Sequence, residues 1–173
     1  LLKQGDMFGE MSLIESKPRS ASAIAYEDAV LLAVNRENFS RMVKTQPQII
    51  ARLTTTLAER IWVIYKQLAN TLLTNPVGRM YDALLIQLEK VRVPIRSGEP
   101  YTFDFGIKDL INMVGLPMAE GNQAVRELLK NNKIRAAENR LHTTDIEEVE
   151  KQAKYYKKME RIQKARREQR RIG

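Results

Sequence analysis

Between Pro47 and Asn75 an apolar pattern of helical period runs without an interrupting proline or glycine. Ile50, Leu57, Ile64 and Thr71 fall seven apart, and Thr54, Ile61 and Leu68 fill the row between them, with Leu53 on the flank. Two rows at this spacing predict one helix of about 27 residues, about 40 Å long, whose seam suits a second helix. Trp62, Tyr65 and Leu72 add a second apolar region beside the seam. Pro76 suits the first turn of a further helix, with Val77, Met80, Tyr81, Leu84, Leu85, Leu88 and Val91 on its apolar side. Two shorter helical patterns flank Gly115. Ile107, Leu110, Ile111 and Val114 precede it, and Val125, Leu128 and Leu129 come after an opening near Pro117. The chain then alternates through residues 134–137, turns at Glu138-Asn139 and continues through 140–143, which predicts a hairpin. Asp145 caps a last helix in which Ile146, Val149, Ala153 and Tyr156 keep a three-four spacing.

The first 45 residues lack that period. Residues 20–26 and 29–34 suit strands joined by a turn at Glu27-Asp28, and Asn35 caps a short helix with Phe39, Met42 and Val43 on one face. Between residues 92 and 105, Ser97-Gly98-Glu99-Pro100 is a turn between two short β-like runs. The expected class is α+β, with four parts: 1–45, strands and turns; 46–74, the long helix; 75–145, helices and hairpin; 146–173, a basic helical extension.

Composition narrows the chemistry. The 173 residues are 43% hydrophobic, enough for a core, and no apolar run approaches the ~20 residues of a membrane helix. The expectation is a cytoplasmic protein with no membrane partner. The absence of cysteine rules out disulfides, thiolate metal ligands and cysteine nucleophiles, and a single histidine leaves little for metal binding or a catalytic triad, so neither an enzyme nor a metal site is expected. The net charge of +8 favours an anionic partner. From Ile146 onward ten Lys/Arg face five Asp/Glu, so five of those eight charges sit in the last segment, which we expect to protrude and track phosphates.

One segment has the makings of a ligand site. Phe8-Gly9-Glu10-Met11-Ser12-Leu13-Ile14, followed by Pro18-Arg19-Ser20-Ala21, gathers a glycine, backbone amides, a carboxylate and an arginine about one short turn. A glycine allows close backbone approach, a guanidinium offers a planar fork of donors to a phosphate, and a carboxylate accepts from ribose hydroxyls. The string resembles the phosphate-binding cassette of the cyclic nucleotide-binding domain. That resemblance implies Glu10 on the ribose 2′-hydroxyl, Arg19 on the phosphate oxygens, and amides near Gly9, Ser12 and Ser20 around them. In that family several strands precede the cassette, so the expectation is the C-terminal part of a β-roll, the earlier part lying outside this sequence.

Beyond the cassette the chain resembles the bacterial cyclic-AMP receptor protein and fumarate-nitrate regulator family, whose long helix is a dimer interface and closes over the purine. The resemblance puts Ile64 and Tyr65 at the base, where Tyr65 can stack or donate and Ile64 offers apolar contact. Residues 107–143 resemble the same family's winged helix-turn-helix. Met118, Glu120, Asn122 and Gln123 then face bases, while Arg126, Lys130, Arg135 and Arg140 suit phosphates. Gly121 is costly in a helix interior unless a neighbour approaches closely. The resemblance thus implies a homodimeric regulator that binds double-stranded DNA under control of a cyclic nucleotide, cyclic AMP first among them, with RNA polymerase as a further partner. The competing expectation is a ligand-independent DNA-binding or protein-interaction module with a vestigial cassette.

Overall fold

The computed structural model describes residues 2, 4–15, 18–19, 21–91, 93–94, 96–130 and 132–172, with the side chains of 14 and 170–172 set aside. In chain order it forms α1 (Glu10–Glu15), α2 (Arg36–Thr45), α3 (Gln48–Thr71), α4 (Pro76–Lys90), β1 (Tyr101–Phe103), α5 (Ile107–Val114), α6 (Met118–Leu129), β2 (Ile134–Ala137), β3 (Arg140–Thr143) and α7 (Ile146–Ile172). The chain divides into two compact units, Leu1–Leu57 and Ala58–Gly173.

In the first unit the strands expected at 20–26 and 29–34 do not form among the described residues. A strand is held by a ladder partner, and no described segment supplies one, so Ile24, Tyr26, Val30 and Leu32 are exposed instead of packed. The expected β-roll portion is therefore corrected to loops and helices over the described residues. The short helix fares better. Asn35 caps α2, its side chain accepting from Asn38 N–H at 2.8 Å, and Phe39, Met42 and Val43 are half-buried together.

α3 starts just after Pro47, whose carbonyl accepts from Ile50 at 3.0 Å, and ends at Thr71, three residues short of the expected stop at 74. Of its apolar positions, Leu53 is buried while Ile61, Ile64 and Leu68 stay exposed, as does Leu72 just past its end. Trp62 carries the Lys66 ammonium 4.4 Å over its ring, and Lys66 also pairs with Glu89 at 2.9 Å.

The second unit is built round α4. Asn75 caps it by accepting from Gly78 N–H at 2.9 Å, and Pro76 occupies the first turn as expected. Met80, Leu84 and Leu88 are fully buried where α5, α6 and α7 meet. Asp82 and Ile86, on the side the pattern marks as outer, are buried as well, whereas Val91 is exposed. Burial on several sides is what a central helix experiences, so the one-faced pattern understates it. The three strands pair antiparallel in the order β1-β3-β2, with Phe103 opposite Leu141 and Ile134 opposite Thr143. Glu138 and Asn139 both take positive φ, giving the predicted two-residue hairpin turn. The β-like run before Gly98 forms no strand among its described residues.

α7 is capped as expected: Asp145 Oδ1 accepts from Glu147 N–H at 3.1 Å and from Gly98 N–H at 3.0 Å. The Gly98 amide, more than any other group, holds the Asp145 carboxyl below its ordinary value. Ile146, Val149 and Ala153 are buried, and Tyr156 stacks on Tyr81 with ring centroids 6.1 Å apart. Burial, then Tyr156 and Glu148, pushes the Tyr81 phenol up to about 12. Beyond Tyr156 the helix continues unbroken to Ile172.

Candidate nucleotide cassette and nucleic-acid interface

The cassette's described residues lie about one carbonyl. Gly9 stands at φ +75, in the left-handed region that suits glycine, and α1 begins immediately after it. Ser12 Oγ donates to the Gly9 carbonyl at 2.9 Å, and the Arg19 guanidinium donates to the same oxygen. A Cβ on residue 9 would overlap that guanidinium, but the end of an arginine side chain can swing away, so it is the backbone angle that favours glycine here. Glu10, half-buried, comes directly after. Gly9, Ser12 and Arg19 thus meet at one carbonyl with Glu10 adjacent in the chain, and Ser20 lies outside the described residues.

Sequence reasoning missed Arg36, which donates to the Ser12 carbonyl at 3.0 Å. It stands 24 residues from Ser12, and nothing in the local pattern signals the contact. Two guanidinium groups and a hydroxyl about one short turn make a donor-rich, positively charged corner, and such a corner favours an anion. Ile64 and Tyr65 belong to the second unit, where both are exposed on α3.

The second group of predicted residues lies on α6 and the hairpin. α5 ends at Gly115 (φ 61, ψ 36), a left-handed cap that turns the chain into α6. α6 buries Gly121, Ala124, Val125 and Leu128, which leaves Met118, Glu120, Asn122, Gln123 and Arg126 exposed, with Lys130 next in the chain. Gly121 is explained by packing, since an added Cβ would stand 2.5 Å from Ile111 Cγ2. Only glycine lets α5 and α6 approach this closely.

Between α6 and the hairpin lies an open groove of about 430 Å3 lined by Ile107, Lys108, Ile111, Met118, Asn122 and residues 136–140. It brings Met118 and Asn122 into one surface with Arg140, whose guanidinium is steadied by Asp104 at 3.2 Å. The hairpin turn docks on the start of α5 so tightly that a Cβ at Gly106 would stand 2.7 Å from the Asn139 carbonyl oxygen. Arg135 is exposed on β2, outside the groove lining, and Lys130 pairs loosely with Glu127 at 3.8 Å. Lys108 is a groove cation that sequence reasoning passed over; its place at the exposed start of α5 is the one signal that marks it. The surface offers donors and acceptors on a rigid helix beside cations on a hairpin, a combination suited to a polar, anionic polymer.

Comparison with known proteins bears on both sites. The family model "Cyclic nucleotide-binding domain" matches residues 1–46. The cyclic AMP receptor protein of Thermus thermophilus is 44% identical over 61 residues, 35% of this chain and 28% of that protein. A CRP-like cAMP-activated global transcriptional regulator of Mycobacterium tuberculosis is 23% identical over 154 residues, 89% of this chain and 69% of that protein. Among solved structures, CprK complexed with OCPA matches with a TM-score of 0.51 at 14% identity, covering 66% of this chain and 52% of that one. That likeness is one of fold.

Proposed function

We propose, from the premise that this chain belongs to the regulator family of the cyclic-AMP receptor protein and the fumarate-nitrate regulator, that it is a cyclic-nucleotide-responsive transcription regulator acting on DNA as a dimer. The observation that carries the proposal is the pairing, in one chain, of a cassette whose Arg19 and Ser12 converge on Gly9 with an exposed α6 face beside a cationic hairpin. Arg19 takes the cyclic phosphate, Glu10 the ribose hydroxyl, and Tyr65 with Ile64 the base, cyclic AMP being the first candidate. Ser20 completes the phosphate cradle.

The parts of the chain take distinct roles. Residues 1–45 hold the nucleotide, 46–74 pair two copies, 75–145 form a winged helix-turn-helix, and 146–173 add a basic extension. The exposed Ile61, Ile64 and Leu68 support pairing through α3, because a seam exposed in one chain is what a partner helix covers. Met118, Glu120, Asn122 and Gln123 meet base edges, and Arg126, Lys130, Arg135 and Arg140 meet phosphates. Ligand shifts the junction at Thr74-Asn75-Pro76 and brings two copies of α6 to successive major grooves, about 34 Å apart. The nucleotide acts through its unequal affinity for the two arrangements.

Calorimetric titration of the full-length protein with cyclic AMP, cyclic GMP and cyclic dinucleotides tests the ligand. Arg19→Ala should lose binding while remaining dimeric, and equal affinity in both proteins would refute the cassette's role. The bond from Arg19 to the Gly9 carbonyl favours one second reading, a cassette closed by its own arginine on a ligand-independent DNA-binding protein. In that case no nucleotide binds, yet duplex binding persists.

A further inference from the structure

We propose that the distal half of α7 is a second phosphate-binding element that takes the backbone of duplex DNA without regard to sequence. The proposal rests on the DNA-binding reading above and deepens it.

Contacts with α4 and with the residues just before it tie α7 down as far as Glu160. Tyr156 lies against Gly78, where a Cβ would stand 2.7 Å from Tyr156 Cβ; Lys157 pairs with the buried Asp82; and Glu160 Oε2 accepts from Thr74 N–H at 3.0 Å and from Thr74 Oγ1 at 2.7 Å. Past that point the helix runs twelve more residues to Ile172, about 18 Å. Along it Arg161, Lys164, Arg166 and Arg167 are exposed, as is Lys158 just before it, and no ion pair to a described residue engages them. The sequence adds Arg170 and Arg171, against Glu168 as the one acid after Glu160.

Arg161, Lys164 and Arg167 stand three apart, the spacing at which like charges on a helix repel. At about 100° per residue the cations also point all round the axis. Ile162, half-buried, is the one large apolar side chain among residues 161–169, so no stripe is present to form the apolar centre of a protein interface. A helix cationic on every side, rich in guanidinium forks and held rigidly at one end suits a dense line of phosphates. Duplex DNA carries one charge per about 1.7 Å and is the polyanion that the same unit's α6 is proposed to engage.

The test is fluorescence anisotropy with a random-sequence duplex across about 50–300 mM salt. The proteins are the full-length wild type, the variant Arg161→Gln, Lys164→Gln, Arg166→Gln and Arg167→Gln together, and a chain ending at Glu160. Glutamine keeps helix propensity, and far-UV circular dichroism verifies that the fold is retained. Four engaged cations flatten the slope of log affinity against log salt by about 3.6. A flattening of at least about 2 in both altered chains, with affinity falling at least about tenfold alike on random and preferred sequences, is the expected result. A steep wild-type slope that both altered chains keep overturns this proposal alone, whereas a flat wild-type slope overturns it together with the DNA-binding reading. Tail-dependent binding of poly-glutamate as tight as that of the duplex would overturn the assignment to nucleic acid.

Discussion

Replacing Gly121 by alanine sets two known effects against each other. In an open helix the change stabilises by about 1 kcal/mol, because alanine has the better propensity and loses less backbone freedom on folding. Here the new methyl would stand 2.5 Å from Ile111 Cγ2, 2.9 Å from Cγ1 and 3.1 Å from Cδ1. Ile111 is buried and β-branched, so it has neither space nor a free rotamer to yield. Overpacking of this kind costs about 1–3 kcal/mol. With the clash on three atoms, the upper part of that range applies, which leaves a net loss of about 1–2 kcal/mol. At a urea dependence of about 2 kcal/mol/M the midpoint should fall by about 0.5–1 M, measured by far-UV circular dichroism. The same substitution made on an Ile111→Ala background should instead stabilise by about 1 kcal/mol, since the obstructing atoms are gone. If Gly121→Ala raised the midpoint in the wild-type background, close approach of α5 and α6 would not be the reason for the glycine.

Two other substitutions probe α7. Lys157→Met leaves the buried Asp82 carboxylate with Asn70, at 3.0 Å, as its side-chain partner among the described residues, and, with Lys157 itself a third exposed, should cost about 3 kcal/mol in urea unfolding, the low end for breaking a buried pair. Lys154→Met breaks an exposed pair with Glu150 and should stay within about 0.5 kcal/mol. Asp145 sits below its ordinary value in the folded chain, so its contribution is complete above the unfolded aspartate pKa of about 3.9 and is lost as pH falls through the lowered one. Urea midpoints from pH 5 to pH 2 should therefore fall less steeply in Asp145→Asn, and identical profiles would remove Asp145 from the acid response.

Much of the second unit was legible because its signals are local. Asp145 as a cap, Pro76 at a first turn, the Glu138-Asn139 turn and the glycine at 115 each depend on a few neighbouring residues. The three-four spacing likewise found Ile146, Val149 and Ala153. What failed depended on partners distant in sequence. Residues 20–34 have strand-like composition but gain a ladder only from another segment, and Asp82 is buried by Lys157 and Asn70 rather than by anything its own helix pattern contains. The cassette divides the same way: Gly9, Ser12 and Arg19 are close in sequence and were found, while Arg36 reaches Ser12 from 24 residues away and was not.

The central claim is that one guanidinium in the first unit governs how the second unit holds DNA. The most direct measurement is the affinity of the full-length protein for its preferred duplex with and without saturating cyclic AMP, in wild type and in Arg19→Ala. A gain of about 5- to 150-fold is predicted in the wild type and none in the variant. Equal affinity with and without nucleotide in the wild type, or the same gain in both proteins, would contradict it.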